Sequence, residues 1–203
     1  DLTSGKRIPN ATGTRNYAAY SYGGQYLKYV TDDKVQHVVT PEGVPLPAEA
    51  VHLNNGYYLI EAENALYNGA GTKLFTYDPS GYIPCKSEDV SGYILAQKTA
   101  DGTTSYVLMD EKGVVLTAPL PAQPKVYGDV LLAGKKVYNS RGELLIEGEF
   151  TSMYNDPVTK QCWLLSSSAT KEKVLMDRNG KVLYRSADED VKFIVNHFSL
   201  YKK

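Results

Sequence analysis

Short apolar runs, broken by glycine and polar turn residues, recur along the whole chain. "LMDEKGVVL" from Leu108 and "LMDRNGKVL" from Leu175 are almost the same nine residues, 67 positions apart. The shared pattern is apolar residues, Asp or Asn, two variable residues, Gly, then apolar residues again. It returns in "VVTPEGVPL" at Val38, "FTYDPSGYI" at Phe75 and "VYNSRGELL" at Val137, with a degraded copy in the N-terminal "DLTSGKRI". The glycines Gly5, Gly43, Gly81, Gly113, Gly142 and Gly180 mark the units, with spacings of 38, 38, 32, 29 and 38. A period in this range signals a propeller, a solenoid or an array.

The motif has the chemistry of a hairpin. An Asp or Asn side chain accepts backbone N–H groups two residues on, and glycine supplies the left-handed backbone without a Cβ penalty. Asp78, Asp110, Asn139 and Asp177 are therefore turn-formers. A second register runs between these turns, with Gly24, Gly56, Gly92 and Gly128 each followed by an apolar strand. At the later equivalent places stand Asn155 and Asn196, and Asn also tolerates the left-handed region. Each unit is expected to hold four short strands. In the unit containing Gly81 they are expected at 57–61, 73–77, 82–85 and 88–90. No stretch shows a useful 3.6-residue period, and "PAEAVHL" and "EAENALY" are too short for helices. Prolines gather at unit edges, where a ladder donor can be spared.

The expected fold is all-β, one repeat domain over residues 1–203 with about six units of roughly 29–38 residues. Open arrays need polar caps and leave exposed edges. The chain begins at a turn in mid-unit and ends with "FSLYKK", the first strand of a unit. The two ends are complementary fragments, so a closed β-propeller whose termini complete one blade is the first expectation.

"VLMDRNGKVLY", with its partner half in "VSGYILAQ" and "YGDVLLAG", resembles the WG repeats of bacterial proteins over nearly the whole chain. The Trp-Gly pair that names those repeats is missing, and the one tryptophan is Trp163. The resemblance implies an interaction scaffold without chemistry of its own.

Composition narrows the functions. With 22 basic and 23 acidic side chains the net charge is −1, which gives no surplus for a nucleic-acid surface. No apolar run approaches the length of a membrane-spanning helix. The chain starts at Asp1 rather than Met, so a leader or an upstream region, with room for a lipid anchor, is expected before it. Export fits, and so does a cut within a longer chain. Cys85 and Cys162 allow one long-range disulfide or two buried thiols, and their apolar strand contexts favour thiols.

Catalytic constellations are not found. His37, His52 and His197 lack metal-ligand spacing, no GxSxG elbow marks a serine nucleophile, and "NGAGTKLF" is a glycine-rich turn without a helix. No cofactor, metal or catalytic residue is expected, and a carboxylate pair on the rim is the residual enzymatic reading.

Tyrosine is over-represented, with 17 copies against four Phe. Tyr17, Tyr20, Tyr22, Tyr26 and Tyr29 crowd into 13 residues, and Tyr57, Tyr58, Tyr93, Tyr127 and Trp163 recur just before or within the first strand of later units. One reading is a cross-strand aromatic ladder. The other is a binding platform formed by Tyr17, Tyr20, Tyr22, Tyr26, Tyr57, Tyr93, Tyr127 and Trp163, since tyrosine offers rigid contact area with a hydrogen-bonding tip. The function expected is a monomeric, non-catalytic, extracytoplasmic module that binds a protein or a glycan. A spacer domain of a larger surface protein or lipoprotein is the alternative.

Overall fold

The computed structural model describes residues 17–20, 27–30, 36–40, 44–47, 49–53, 56–87, 90, 92–156, 161–194 and 197–202, with side chains between Val38 and Asp188. All of the regular structure there is β, apart from a 3-10 turn at Glu61–Glu63. Valine, isoleucine, leucine and tyrosine fill the strands, as a pleated and packed surface requires.

Six antiparallel sheets follow one another along the described chain, each a meander in sequence order. Sheet 1 holds β1 (Tyr17–Tyr20), β2 (Leu27–Val30), β3 (Gln36–Val39) and β4 (Pro45–Leu46). Sheet 2 holds β5 (Val51–His52), β6 (Tyr58–Ile60), β7 (Ala65–Tyr67) and β8 (Lys73–Thr76). Sheet 3 holds β9 (Ile83–Pro84), β10 (Ile94–Ala100) and β11 (Thr103–Met109). Sheet 4 runs through β12 (Lys125–Tyr127), β13 (Val130–Ala133), β14 (Lys136–Asn139) and β15 (Leu144–Ile146). Sheet 5 runs through β16 (Ser152–Asn155), β17 (Cys162–Ser166), β18 (Lys173–Asp177) and β19 (Val182–Ser186). Sheet 6 pairs β20 (Glu189–Ile194) with β21 (His197–Lys202).

In sheet 3 the fourth strand is reduced to bridges from Met109 to Val115 and from Tyr106 to Leu120. Between them the Leu108 N–H donates to the Thr117 hydroxyl at 3.1 Å, so a side chain replaces a ladder carbonyl and the strand breaks.

Two compact units result: Asp1–Glu88 with Gly92–Ala96 and Asp110–Val114, and Asp89–Ser91 with Gln97–Met109 and Val115–Lys203. In the first, Val38, Leu46 and Ala50 pack with Tyr58 and Ile60, which joins sheet 1 to sheet 2. In the second, Val130, Leu132, Val137 and Ile146 of sheet 4 pack against Met153, Trp163, Leu165, Val174 and Met176 of sheet 5. Inner strands are buried on both faces. All four residues of β13 are buried, and so are the central three of β17 and of β18. This explains why these strands read as continuous apolar runs rather than alternating ones. Fourth strands are exposed, as in β8 and β19.

The repeated turn joins the third strand of a sheet to the fourth. Asp110 Oδ1 accepts the N–H groups of Lys112 and Val114, each at 2.9 Å. The Gly113 N–H bonds the Asp110 carbonyl at 3.0 Å. Asn139 does the same for Arg141 and Glu143, and Asp177 for Asn179 and Lys181. A register shift follows in sheets 2, 4 and 5, at Leu66/Tyr67, Val137/Tyr138 and Leu175/Met176.

Gly81 stands elsewhere. Its turn, closed by Asp78 and Ser80, lies after β8 and leads to the next sheet. In sheet 2 the third-to-fourth hairpin is Asn68–Thr72, where Asn68 Oδ1 accepts from Ala70 at 3.1 Å and Thr72 at 2.9 Å, and Gly71 takes the glycine place. Of the four strands expected around Gly81, 57–61 and 73–77 fall in sheet 2 and 82–85 in sheet 3, while 88–89 lie outside the described residues. In sheet 1 Thr40 replaces the Asp, its hydroxyl accepting the Val44 N–H at 3.3 Å. Gly5 lies outside the described residues.

The second register is also seen: Gly56, Gly92 and Gly128, with φ of 77°, 82° and 71°, turn the first strand of sheets 2, 3 and 4 into the second. Asn155 differs from the expectation. It is the last residue of β16, paired with Trp163, and the turn begins beyond it. Asn196 lies outside the described residues.

Each third-to-fourth glycine among the described residues also touches the sheet before it. A Cβ on Gly142 would lie 2.9 Å from both the N and the O of Ala118, whose N–H already donates to the Arg141 carbonyl at 2.8 Å. On Gly113 it would lie 2.8 Å from Phe75 Cδ2, and on Gly180 3.0 Å from Leu145 Cβ. Gly71 meets Val44 in the same way. Gly128 has the same sign of φ but nothing within 4 Å of a Cβ. Gly128→Ala should therefore cost only the left-handed penalty, about 1–2 kcal/mol. Gly142→Ala adds a collision with backbone and should cost about 3 kcal/mol or more. Urea unfolding of both variants checks this; equal losses would contradict it.

Candidate functional site

The tyrosine pattern resolves into one structural position. Tyr57 follows Gly56, Tyr93 follows Gly92 and Tyr127 precedes Gly128, so all three flank the hairpin between the first and second strands of sheets 2, 3 and 4. Each is partly exposed. The sequence placed them just before or within a first strand; Tyr127 ends one, whereas Tyr57 and Tyr93 stand just before the second strand of their sheets.

Two of these hairpins are fastened to the turn of the following sheet. The Tyr57 hydroxyl donates to Glu111 Oε1 at 2.8 Å. Arg178 Nη2 donates to Asp129 Oδ2 at 3.0 Å. Tyr57 and Asp129 each follow a hairpin glycine, while Glu111 and Arg178 each follow the turn-forming Asp. One contact thus repeats with different chemistry. Both partners of the Arg178 pair are well exposed, so it contributes orientation more than stability. The sequence signal was available, as complementary side chains at corresponding repeat positions.

The other expected site residues divide. Trp163 is 2% exposed, and its indole N–H donates to the Tyr127 carbonyl at 3.3 Å, so it is core and joins sheet 5 to the first strand of sheet 4. Tyr58 is core as well, edge-on to His52 with ring centroids 5.2 Å apart. Tyr17 and Tyr20 lie in β1, without a described side chain. Tyr22 and Tyr26 lie outside the described residues.

Ionisable chemistry is sparse in this region. Cys85 and Cys162 are free thiols. Burial pushes the Cys85 thiol up to about 11, and burial, then Asp156 and Asp177, raise that of Cys162. Neither is a ready nucleophile near neutral pH. Among the described residues no three His, Cys, Asp or Glu side chains gather as a metal site. No helix there is long and apolar enough to cross a membrane.

Burial, then the hydrogen bond and the negative charge of Glu111, raises the Tyr57 phenol to about 12. Since the folded value lies above the ordinary one near 10, the contribution is intact below about pH 10 and disappears as pH rises through about 12. Tyr57→Phe should flatten that part of the stability profile. It should also remove a late-titrating phenol from the tyrosinate absorbance. Glu111→Gln should lower the Tyr57 midpoint only partway, because burial is the larger cause. An alkaline profile unchanged by Tyr57→Phe would contradict the contact.

No protein-family model matches the chain, and no curated protein matches it in sequence. Among solved structures it is similar to Hsv2 of Kluyveromyces lactis, at 8% identity and a TM-score of 0.37, over 84% of this chain and 63% of that one. The chain therefore spans less than two thirds of the length of Hsv2. It is also similar to a eukaryotic initiation factor, at 12% identity and a TM-score of 0.36 over 91% and 69%. AztD of Citrobacter koseri follows at 9% identity and a TM-score of 0.31, over 91% and 80%. At these scores the likenesses decide nothing about fold family or function.

Proposed function

We propose that the chain is a non-catalytic, extracytoplasmic recognition module of the WG-repeat-like kind, built as a closed β-propeller and binding a protein or a glycan through its first hairpins. The observation that carries this reading is the recurrence of half-exposed Tyr57, Tyr93 and Tyr127 at one hairpin position in three consecutive sheets. Tyrosine in such places gives rigid contact area at small entropic cost. Two features support closure. The first strands β12 and β16 approach one another within their unit. Sheet 6 has two strands, and "DLTSGKRI" carries the turn type that joins third and fourth strands. The surplus of tyrosine with glycine, serine and threonine supports a place outside the cytoplasm.

A spacer domain is the second reading, favoured by Trp163 and Tyr58, which are buried in the core.

A glycan array probed with the purified chain separates the two. Recognition predicts reproducible binding to one sugar class, weakened about tenfold or more by Tyr93→Ala with an unchanged unfolding midpoint. Binding indifferent to both Tyr93→Ala and Tyr57→Ala would remove the hairpins as the site. A blank array would turn attention to a protein partner or to the spacer.

A further inference from the structure

Three Asn-Gly pairs occur in the chain, Asn55-Gly56, Asn68-Gly69 and Asn179-Gly180. Such a pair is chemically labile, because glycine has no side chain to shield its nitrogen from the amide carbon of the preceding asparagine. Asn55 lies outside the described residues, and the fold treats the other two differently.

Asn68 holds the turn-forming position between β7 and β8. Its Oδ1 accepts the N–H groups of Ala70 at 3.1 Å and Thr72 at 2.9 Å, so the amide is clamped over its own turn. It is also half-buried. Asn139, at the same position of its turn, is clamped likewise and is followed by serine.

Asn179 stands two residues after the turn-forming Asp177, between β18 and β19. Here Asp177 Oδ1 closes the turn, accepting the N–H groups of Asn179 and Lys181, each at 2.9 Å. The Asn179 side chain is left over. It is exposed and makes no hydrogen bond among the described residues. The neighbouring Gly180 N–H donates to the Asp177 carbonyl at 3.1 Å, against 2.9 Å for the same bond at Gly71 and Gly142. A free amide carbon thus adjoins a nitrogen held by one weak bond.

We propose that Asn179 is a site of spontaneous deamidation, and that its conversion loosens the packing of sheet 5 on sheet 4. Hydroxide from solvent takes the Gly180 amide proton, and the nitrogen attacks Asn179 Cγ. The new C–N bond closes a five-membered succinimide, and Nδ2 leaves as ammonia, protonated by water. Water then opens the ring. Opening at Cγ gives aspartate with the ordinary backbone. Opening at the main-chain carbonyl gives isoaspartate, in which the chain runs through Cβ and Cγ. The balance is one water consumed and one ammonia released, with no oxidation or reduction.

Isoaspartate inserts one carbon into the main chain beside the turn glycine. A Cβ on Gly180 would lie only 3.0 Å from Leu145 Cβ, and Leu145 packs against the core that joins the two sheets. The bond from the Asp177 N–H to the Lys181 carbonyl, 3.0 Å long, spans the inserted atom. The turn cannot lengthen without disturbing that bond or the contact with Leu145. The aspartate product keeps the backbone and adds a charge at an exposed position, so the packing stays as it was.

Peptide mapping by mass spectrometry tests this on the full chain, aged at neutral and at mildly alkaline pH, folded or in urea. In the folded chain Asn179 should convert several-fold faster than Asn68, and faster still at the higher pH, because the amide proton must be lost. In urea the clamp on Asn68 is gone, and the two should convert at similar rates. Aged folded protein should unfold at lower urea, in proportion to the isoaspartate formed at Asn179. Asn179→Ser should keep its midpoint on ageing, and Asn179→Asp should unfold like the fresh parent. The proposal is overturned if Asn68 keeps pace with Asn179 in the folded chain, or if Asn179 converts only in urea. It is also overturned if isoaspartate at Asn179 leaves the midpoint unchanged, or if Asn179→Ser loses as much on ageing as the parent. A loss reproduced by Asn179→Asp would overturn it too, since charge and not the lengthened turn would then be the cause.

Discussion

The contact on which the other features depend is the approach of a turn glycine to the outer part of the sheet before it. Gly71 meets Val44, Gly113 meets Phe75, Gly142 meets Ala118 and Gly180 meets Leu145. At each place the turn geometry requires a positive φ, and the packing leaves no room for a side chain. Asp or Asn closes the turn, so the residue that shapes the hairpin and the residue that lets sheets approach are three positions apart. That spacing is the visible repeat. It is kept because local turn and packing make the same demand of one glycine.

Close approach has consequences for the strands. When one sheet lies flat on another, the inner strands lose contact with water on both faces, as β13 shows in all four residues. Trp163 becomes a bridge rather than a surface aromatic, spanning from β17 to the Tyr127 carbonyl of β12. Outer strands keep one edge unpaired and carry the exposed apolar side chains Val115, Leu144 and Val182, each two residues beyond a turn glycine. Such edges stay short, which limits their use as templates for pairing with another chain.

Local chemistry was legible in the sequence, and the relation between distant segments was not. The Asp-x-x-Gly turns at Asp110, Asn139 and Asp177 could be read because a few adjacent residues determine them. The same logic misplaced Gly81, since an Asp-closed turn looks alike whether it joins two strands of a sheet or leads to the next sheet. Asn68–Gly71, the true counterpart, was hidden by a neighbouring glycine. Thr40 was hidden because a hydroxyl does the work of a carboxylate. Asn155 was misread because it is the last paired residue of β16, opposite Trp163, and not a residue of the turn. The tyrosines at 57, 93 and 127 were picked out as a set, but the hairpin they share appears only with the strands in place.

A double-mutant cycle on Gly113 and Phe75 tests the central contact most directly, with each unfolding free energy taken from urea titration. Gly113→Ala alone should suffer from the collision with the ring, and Phe75→Ala alone should lose its packing. Combined, they should cost less than the two losses together by about 1 kcal/mol or more, because removing the ring clears the space the new methyl needs. Strictly additive losses would mean that Gly113 is required for its backbone conformation alone, and that sheet-to-sheet packing does not depend on the turn glycines.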